Sequence, residues 1–354
     1  MTAYLHGLST ALPPFCLTQT EVRDRAALIF GGRYPQFDRL AKTFDTAGID
    51  KRYSVVPIDW FSENHGWVDR THAYLDGAKA MFISAARDAL VDAGWQAQDV
   101  DCVVTVTSTG IATPTLEAQA FTNMGFRNDI IRVPVFGLGC AGGVSGLSVA
   151  ATLARGRPST KVLLVVVEAC SLSFRADRRQ KADIIAAVLF GDGAAAACLS
   201  SEPSGRETQI SFGHGFQKIL PDTLDIMGWD VDETGLGVVF DRSIPTFVKD
   251  EFATATHAAL LASDLSASQI ERFVCHPGGA KVVDAIEGAL HLRSGSLDAE
   301  RAVLRDAGNM SAPTVMFVMK SVLNAGATGQ MMACALGPGF TASYLPFHVN
   351  TGAN

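Results

Sequence analysis

The sequence predicts a layered α/β fold made of two similar halves. Three observations predict it. Short β-branched runs alternate with helical stretches along the chain. The order of turns and elements in the first half recurs in the second, as a duplicated unit would give. A turn-rich stretch, Ser200-Ser-Glu-Pro-Ser-Gly-Arg206, separates the two series. We therefore divide the chain into residues 1–203 and 204–354.

In chain order, Leu75 to Ala93 reads as a helix, with Leu75, Met81 or Phe82, Ala86 and Leu90 near helical spacing. Asp101-Cys-Val-Val-Thr-Val-Thr-Ser108 is a strand by its β-branched content. An apolar run from Val133 then ends in a glycine-flanked turn around Cys140, and Val144 to Arg155 forms a helix closed by Gly156. Lys161-Val-Leu-Leu-Val-Val-Val167 is continuously apolar, as a strand buried on both faces requires. Phe190-Gly-Asp-Gly193 turns into a strand of small residues ending at Leu199. In the second half, Arg272-Phe-Val-Cys-His-Pro-Gly-Gly279 occupies the place of Val103 to Gly110. Gly308-Asn-Met-Ser-Ala-Pro313 opens a helix as the Cys140 turn does, and Gly337 to Leu345 matches Gly191 to Leu199.

Composition excludes several functions. The 354 residues carry a formal net charge of −7 and no long basic run, which gives nucleic acid no electrostatic footing. No apolar stretch reaches the ~20 residues of a membrane span. The start, Met1 to Gly7, lacks the charged and apolar regions of a secretion signal. Seven cysteines without paired spacing argue against a disulfide framework, and no Cys-x-x-Cys or His-x-x-x-His spacing suggests zinc. The expectation is a reduced, cytoplasmic protein without a bound metal.

The chemistry concentrates at three turns. Cys140 lies between Gly137, Gly139, Gly142 and Gly143, where the positive end of a helix favours thiolate. That setting suits an exposed nucleophile, although a buried cysteine acting as a small hydrophobe fits the motif equally. His276 is the natural partner for the thiol, and Asn309 a natural oxyanion donor. Taken singly, His276 reads as a turn-capping histidine and Asn309 as a helix cap. The joint pattern points to acyl-transfer chemistry.

Here the chain resembles the type III polyketide synthases, the chalcone-synthase-like group of the thiolase superfamily. The carrying motifs are Gly-Cys-Ala-Gly-Gly (139–143), Phe-Gly-Asp-Gly-Ala-Ala-Ala (190–196), His-Pro-Gly-Gly (276–279), Gly-Asn-Met-Ser (308–311) and Gly-Pro-Gly-Phe-Thr (337–341). They occur in family order, from about residue 40 to the end. The resemblance implies a five-layer αβαβα thiolase-like fold, a homodimer, and Cys140, His276 and Asn309 as catalytic triad. Acyl-CoA and malonyl-CoA would be the substrates, with no cofactor beyond them. It also implies iterative decarboxylative condensation, followed by closure to an α-pyrone, a resorcinol or a phloroglucinol.

Further roles follow from the resemblance alone. Phe190 is a gatekeeper between the CoA tunnel and the cavity, and Val238 stands where chalcone synthases carry a second gatekeeper phenylalanine. Ser108, Thr109, Cys170, Ser173 and Ser311 fall with the cavity, and Thr113 at the position that reaches into the partner's cavity. Arg39 and Lys42 fall where the family meets CoA phosphates, but Thr46 replaces a lysine the family often has, and an ordinary solvated helix face fits as well. The small cavity residues imply room for a medium or long fatty acyl starter.

Three other readings compete. A ketoacyl-ACP synthase III shares the triad but commonly has a His-Gln-Ala-Asn context, unlike His276-Pro-Gly-Gly279. An inactive thiolase-fold binding protein would not need all three polar residues. An HMG-CoA synthase is disfavoured because no glutamate stands near the turns as its expected acid/base, with Glu168 alone left open by its position.

Overall fold

The computed structural model describes residues 1–178, 180–241 and 244–352. The first series of elements comprises β1 (Ala3–Ala11), β2 (Phe15–Thr18), α1 (Gln19–Phe30), α2 (Phe37–Thr46), β3 (Lys51–Ser54), α3 (Trp67–Ala93), β4 (Cys102–Thr107), α4 (Leu116–Gln119), α5 (Phe121–Met124), β5 (Ile131–Phe136), α6 (Gly142–Gly156), β6 (Val162–Ala169), α7 (Lys181–Leu189) and β7 (Asp192–Ser200). The second comprises β8 (Thr208–Phe212), β9 (Phe216–Ile219), β10 (Met227–Val231), β11 (Leu236–Phe240), α8 (Ile244–Ala262), β12 (Arg272–Cys275), α9 (Ala280–Ala289), α10 (Asp298–Ala307), α11 (Thr314–Asn324), β13 (Gly329–Gly337) and β14 (Thr341–Thr351).

The duplication is visible in the strand order. The first half runs β1-β7-β6-β4-β5, with β7 antiparallel to β6 and β6 parallel to β4. The second runs β8-β14-β13-β12 with the same senses at the matching places. The two series meet where β1 pairs with β8 through Ala3–Phe212 and Tyr4–Ser211. All the main strands thus belong to one hydrogen-bonded sheet that folds over on itself.

Strand periodicity builds the layers, because successive side chains point to opposite faces. Val162, Leu164 and Val166 of β6 face inward onto α6 and α11, whereas Leu163, Val165 and Val167 face outward onto α3. In β13, Met331, Ala333 and Ala335 face the same two inner helices, and Met332, Cys334 and Leu336 face α8 and α9. The result is helix, sheet, helix pair, sheet, helix. Both faces of β6 are buried throughout, as its unbroken apolar run requires.

One boundary differs from expectation. The helix expected from Leu75 begins at Trp67, because Tyr74 and Arg70 are also buried on its inner side. The second-half helix starts at Thr314, since Gly308 to Pro313 form a turn. The apolar run from Val133 lies in β5 at the open edge of the sheet, where Ile131 and Phe136 are each 55% exposed. All seven cysteines are free thiols.

Candidate active site

The Cys140 turn is held by contacts from the other half of the chain. Gly139 has φ +46°, and a Cβ there would lie 2.6 Å from Pro338 Cδ. A Cβ at Gly143 would lie 2.2 Å from the carbonyl oxygen of Ala312. Only glycine admits that approach. Gly139–Ala141 form one 3₁₀ turn that leads directly into α6.

The expectation of an exposed thiolate is corrected by this packing. Cys140 is 7% exposed, and burial pushes its thiol up to about 11. The nearby Glu168 charge pushes the same way. Hydrogen bonds from Ser311 and Asn309 pull it back, Ser311 more strongly. Desolvation therefore outweighs the helix start, because the charged form loses water that the turn does not replace.

His276 follows the end of β12, its backbone N–H donating to the Cys334 carbonyl at 2.9 Å. Its ring is buried, and neither Nδ1 nor Nε2 has a hydrogen-bond partner. Burial holds it down at about 3, so the imidazole is neutral. Asn309 is fully buried and fixed on two sides. Its Nδ2 donates to the Gly278 carbonyl at 3.1 Å, and its Oδ1 accepts from Ser311 N–H at 2.8 Å. Ser311 adopts φ +59°, a strained backbone for a non-glycine residue that tightens this turn. Cys140, His276 and Asn309 line one cavity, together with Gly278, Val282 and Phe252.

A second cavity shares Cys140 and Phe240 with the first and adds Ser311, Phe190, Val238 and Trp229. Phe190 meets Trp229 and Phe240 edge-on, at ring separations of 6.4 and 6.0 Å. Val238 packs with Phe190, Cys170 and Ala186. Trp229 stands opposite Val238 in the β10–β11 hairpin, and its Nε1 donates to the Ser108 carbonyl at 2.7 Å. Sequence reasoning missed Trp229 and Phe240. Both line the same cavity as Val238. No local sequence signal marks them, because the register that sets Trp229 against Val238 belongs to the folded hairpin.

Ser108 and Thr109 are buried and bind Glu168. Its carboxylate accepts from Ser108 N–H at 2.9 Å, Ser108 Oγ at 2.6 Å and Thr109 Oγ1 at 2.7 Å. Burial raises Glu168 to about 7, with these hydrogen bonds opposing it. Cys170 and Ser173 are buried beside each other, Ser173 Oγ donating to the Cys170 carbonyl. Thr113 is exposed and lies outside the two cavities around Cys140. Arg39 and Lys42 are exposed one turn apart on α2. No group of three or more potential metal ligands occurs among the described residues.

Comparison with known proteins follows the same lines. The family model described as chalcone and stilbene synthases, N-terminal domain, matches residues 2–203, and the corresponding C-terminal domain model matches residues 211–347. A 1,3,6,8-tetrahydroxynaphthalene synthase of Streptomyces peucetius subsp. caesius is 34% identical over 352 residues, covering 96% of this chain and 91% of that protein. The alpha-pyrone synthesis polyketide synthase-like Pks18 of Mycobacterium tuberculosis (strain ATCC 25618 / H37Rv) is 26% identical over 98% of this chain and 91% of its own length. The crystal structure of 1,3,6,8-tetrahydroxynaphthalene synthase from Streptomyces coelicolor A3(2), a bacterial type III polyketide synthase, superposes with a TM-score of 0.92 at 26% identity. That match covers 99% of this chain and all of the other.

Proposed function

We propose, from the premise that this chain belongs to the chalcone and stilbene synthase family and is a type III polyketide synthase with the thiolase fold, that Cys140, His276 and Asn309 perform its condensations. One observation carries the assignment: the three side chains line a single buried cavity. The resting site is neutral. His276, with both ring nitrogens free, takes the thiol proton as sulfur attacks an acyl-CoA carbonyl. The acyl–sulfur bond to CoA breaks, the proton passes to the departing CoA thiolate, and the acyl group rests on Cys140 as a thioester.

Malonyl-CoA then binds and loses carbon dioxide. The electron pair left behind forms an enolate thioester. Its oxygen accepts from the imidazole N–H and from the Asn309 Nδ2 hydrogen not used on Gly278. The enolate carbon attacks the Cys140 thioester, the carbon–sulfur bond breaks, and a β-ketoacyl-CoA two carbons longer is released. Repetition gives a chain that cyclises to an α-pyrone, a resorcinol or a phloroglucinol.

Several finer readings accompany this one. Phe190 and Val238 gate the cavity, with Ser108, Thr109, Cys170, Ser173 and Ser311 shaping it. A medium or long fatty acyl-CoA is the starter, and the apolar linings support that choice. Arg39 and Lys42 receive the CoA phosphates; neither is held by an ion pair among the described residues. Two copies pair along β5, bringing Thr113 to the partner's cavity; the open strand edge and the exposed Ile111, Ile131 and Phe136 support it. The free cysteines suit a reducing cytoplasm. No described helix is long and apolar enough to cross a membrane.

Weighing the products of acyl-CoA and malonyl-CoA tests the reading. Products extended more than once are expected. A single β-ketoacyl product would overturn iteration. In Asn309→Ala, malonyl-CoA decarboxylation should fall about 10²–10³-fold, as for loss of one oxyanion donor; unchanged decarboxylation would overturn the role given to Asn309.

A further inference from the structure

We infer that Glu300 is a positioning residue for the condensation: it ties the end of β12, and with it His276, to α10, the helix that leads into Asn309. This rests on the role given to His276 above and accounts for what holds that side chain in place. Neither ring nitrogen has a hydrogen-bond partner among the described residues, so no polar contact orients the imidazole itself. Its direction is set by the backbone on either side.

β12 is the outermost strand of the sheet, paired among the described residues with β13 alone. Successive N–H groups of a strand point to opposite sides. His276 N–H donates to the Cys334 carbonyl of β13 at 2.9 Å, so Cys275 N–H points off the open edge. There Glu300 Oε1 accepts it at 3.0 Å. The other carboxylate oxygen, Oε2, accepts from Arg272 Nη2 at 2.5 Å. One side chain thus grips β12 at two places. On the far side of His276, Asn309 Nδ2 donates to the Gly278 carbonyl at 3.1 Å. Glu300 lies in the first turn of α10, and Asn309 follows just after its last turn. The helix is itself anchored, with Leu304 buried beside Phe30 and Phe37 and the Arg305 carbonyl accepting from Asp50 N–H at 2.8 Å. His276 is therefore tied on both sides to one helix and the turn that follows it. That frame fixes the spacing between the two groups given to the enolate oxygen.

Satisfying an edge N–H needs only a neutral acceptor. A fully buried carboxylate is a costlier choice, because its charge loses water. Burial raises Glu300 to about 7, opposed first by Arg272 and then by Cys275 N–H. What the carboxylate adds is the second grip, through Arg272, which holds the strand's angle as well as its end. Displacing a catalytic group by about 1 Å can cost about 10²-fold in rate, so that grip bears on the chemistry.

Two double variants isolate the tie. Arg272→Met/Glu300→Met fills the space without charge, which interiors tolerate when both partners are replaced, and leaves Cys275 N–H without its acceptor. Arg272→Met/Glu300→Gln keeps an acceptor there. Thermal unfolding checks that each is folded, and carbon dioxide released from malonyl-CoA is followed. The Met pair should lower kcat about 10–10²-fold with KM within about twofold of wild type, whereas the Gln variant should stay within about threefold in both. Glu300→Asp, which keeps the charge and shortens the reach by one methylene, should show a fall in kcat like that of the Met pair. In a His276→Ala background the Met pair should cost less than about twofold further, because a residue that acts through the imidazole then has nothing to position. A purely structural Glu300 would slow both backgrounds alike. That result, or equal rates in the Met and Gln variants, would overturn the inference while leaving the role of His276 intact. Decarboxylation by His276→Ala at the wild-type rate would overturn that role and the inference with it.

Discussion

Phe190 and Asn309 are joined by an isolated parallel β-bridge. Asn309 N–H donates to the Leu189 carbonyl at 2.8 Å, and Gly191 N–H donates to the Asn309 carbonyl at 3.0 Å. The ring that lines the cavity and the amide proposed to bind the enolate oxygen therefore share one backbone clamp, though they come from different halves of the chain. Gly308 makes the clamp possible: a Cβ there would sit 3.0 Å from the Leu189 carbonyl oxygen, and its φ is +69°. Movement of either half is felt at both groups together.

The thiol environment gives the first expectation. Cys140 alkylation by iodoacetamide should rise only at alkaline pH, toward the value of about 11 that burial imposes. Ser311→Ala removes the stronger hydrogen bond to sulfur and should move the profile higher. Glu168→Gln removes a nearby negative charge and should move it lower. A wild-type profile with its midpoint near neutrality would show that water reaches the sulfur.

A second expectation concerns Trp229. Trp229→Ala removes the largest side chain of the β10–β11 hairpin from the cavity and frees the Ser108 carbonyl. Bulky starters should gain relative to acetyl-CoA, whereas Val238→Phe should shift preference toward short ones. Starter profiles of the two variants, measured by product mass, check this. Movement of both in the same direction would contradict the placement of the hairpin over the cavity.

His276 sets a pH dependence of stability. Its folded value of about 3 lies below the ordinary 6.5, so the folded state prefers the neutral ring. The stability it contributes is present above pH 6.5 and is lost as pH falls toward 3. Between pH 7.5 and pH 5 the loss is about 2 kcal/mol, from one and a half units at 1.36 kcal/mol each. Urea unfolding of wild type and His276→Gln at both pH values checks it: the wild type should lose about that much more. Equal losses would mean that the ring is hydrated.

What the sequence made legible follows from how local each signal is. The alternating faces of β6 and β13, the small-residue strand β7 and the glycine-bracketed turn at Cys140 are written in neighbouring residues. Pairing of the Cys140 turn with the Asn309 turn was legible too, because the duplication repeats the order of elements. The burial of Cys140 was not, since it depends on Pro338 and Ala312, roughly 200 and 170 residues away in the chain. Helix-end electrostatics argued for thiolate, and desolvation, which no local pattern reports, reversed the sign. Trp229 escaped for a similar reason. A tryptophan in a short strand says nothing of which cavity it enters until the hairpin register sets it against Val238 and the Ser108 carbonyl.

The central claim is that Cys140 carries the growing chain's acyl group. Intact-protein mass spectrometry after incubation with decanoyl-CoA, followed by peptide mapping, tests it most directly. The account predicts one acyl adduct on the wild type, mapped to the peptide containing Cys140, and none on Cys140→Ala. The same adduct on Cys140→Ala, or an adduct mapped to another of the seven cysteines, would contradict it.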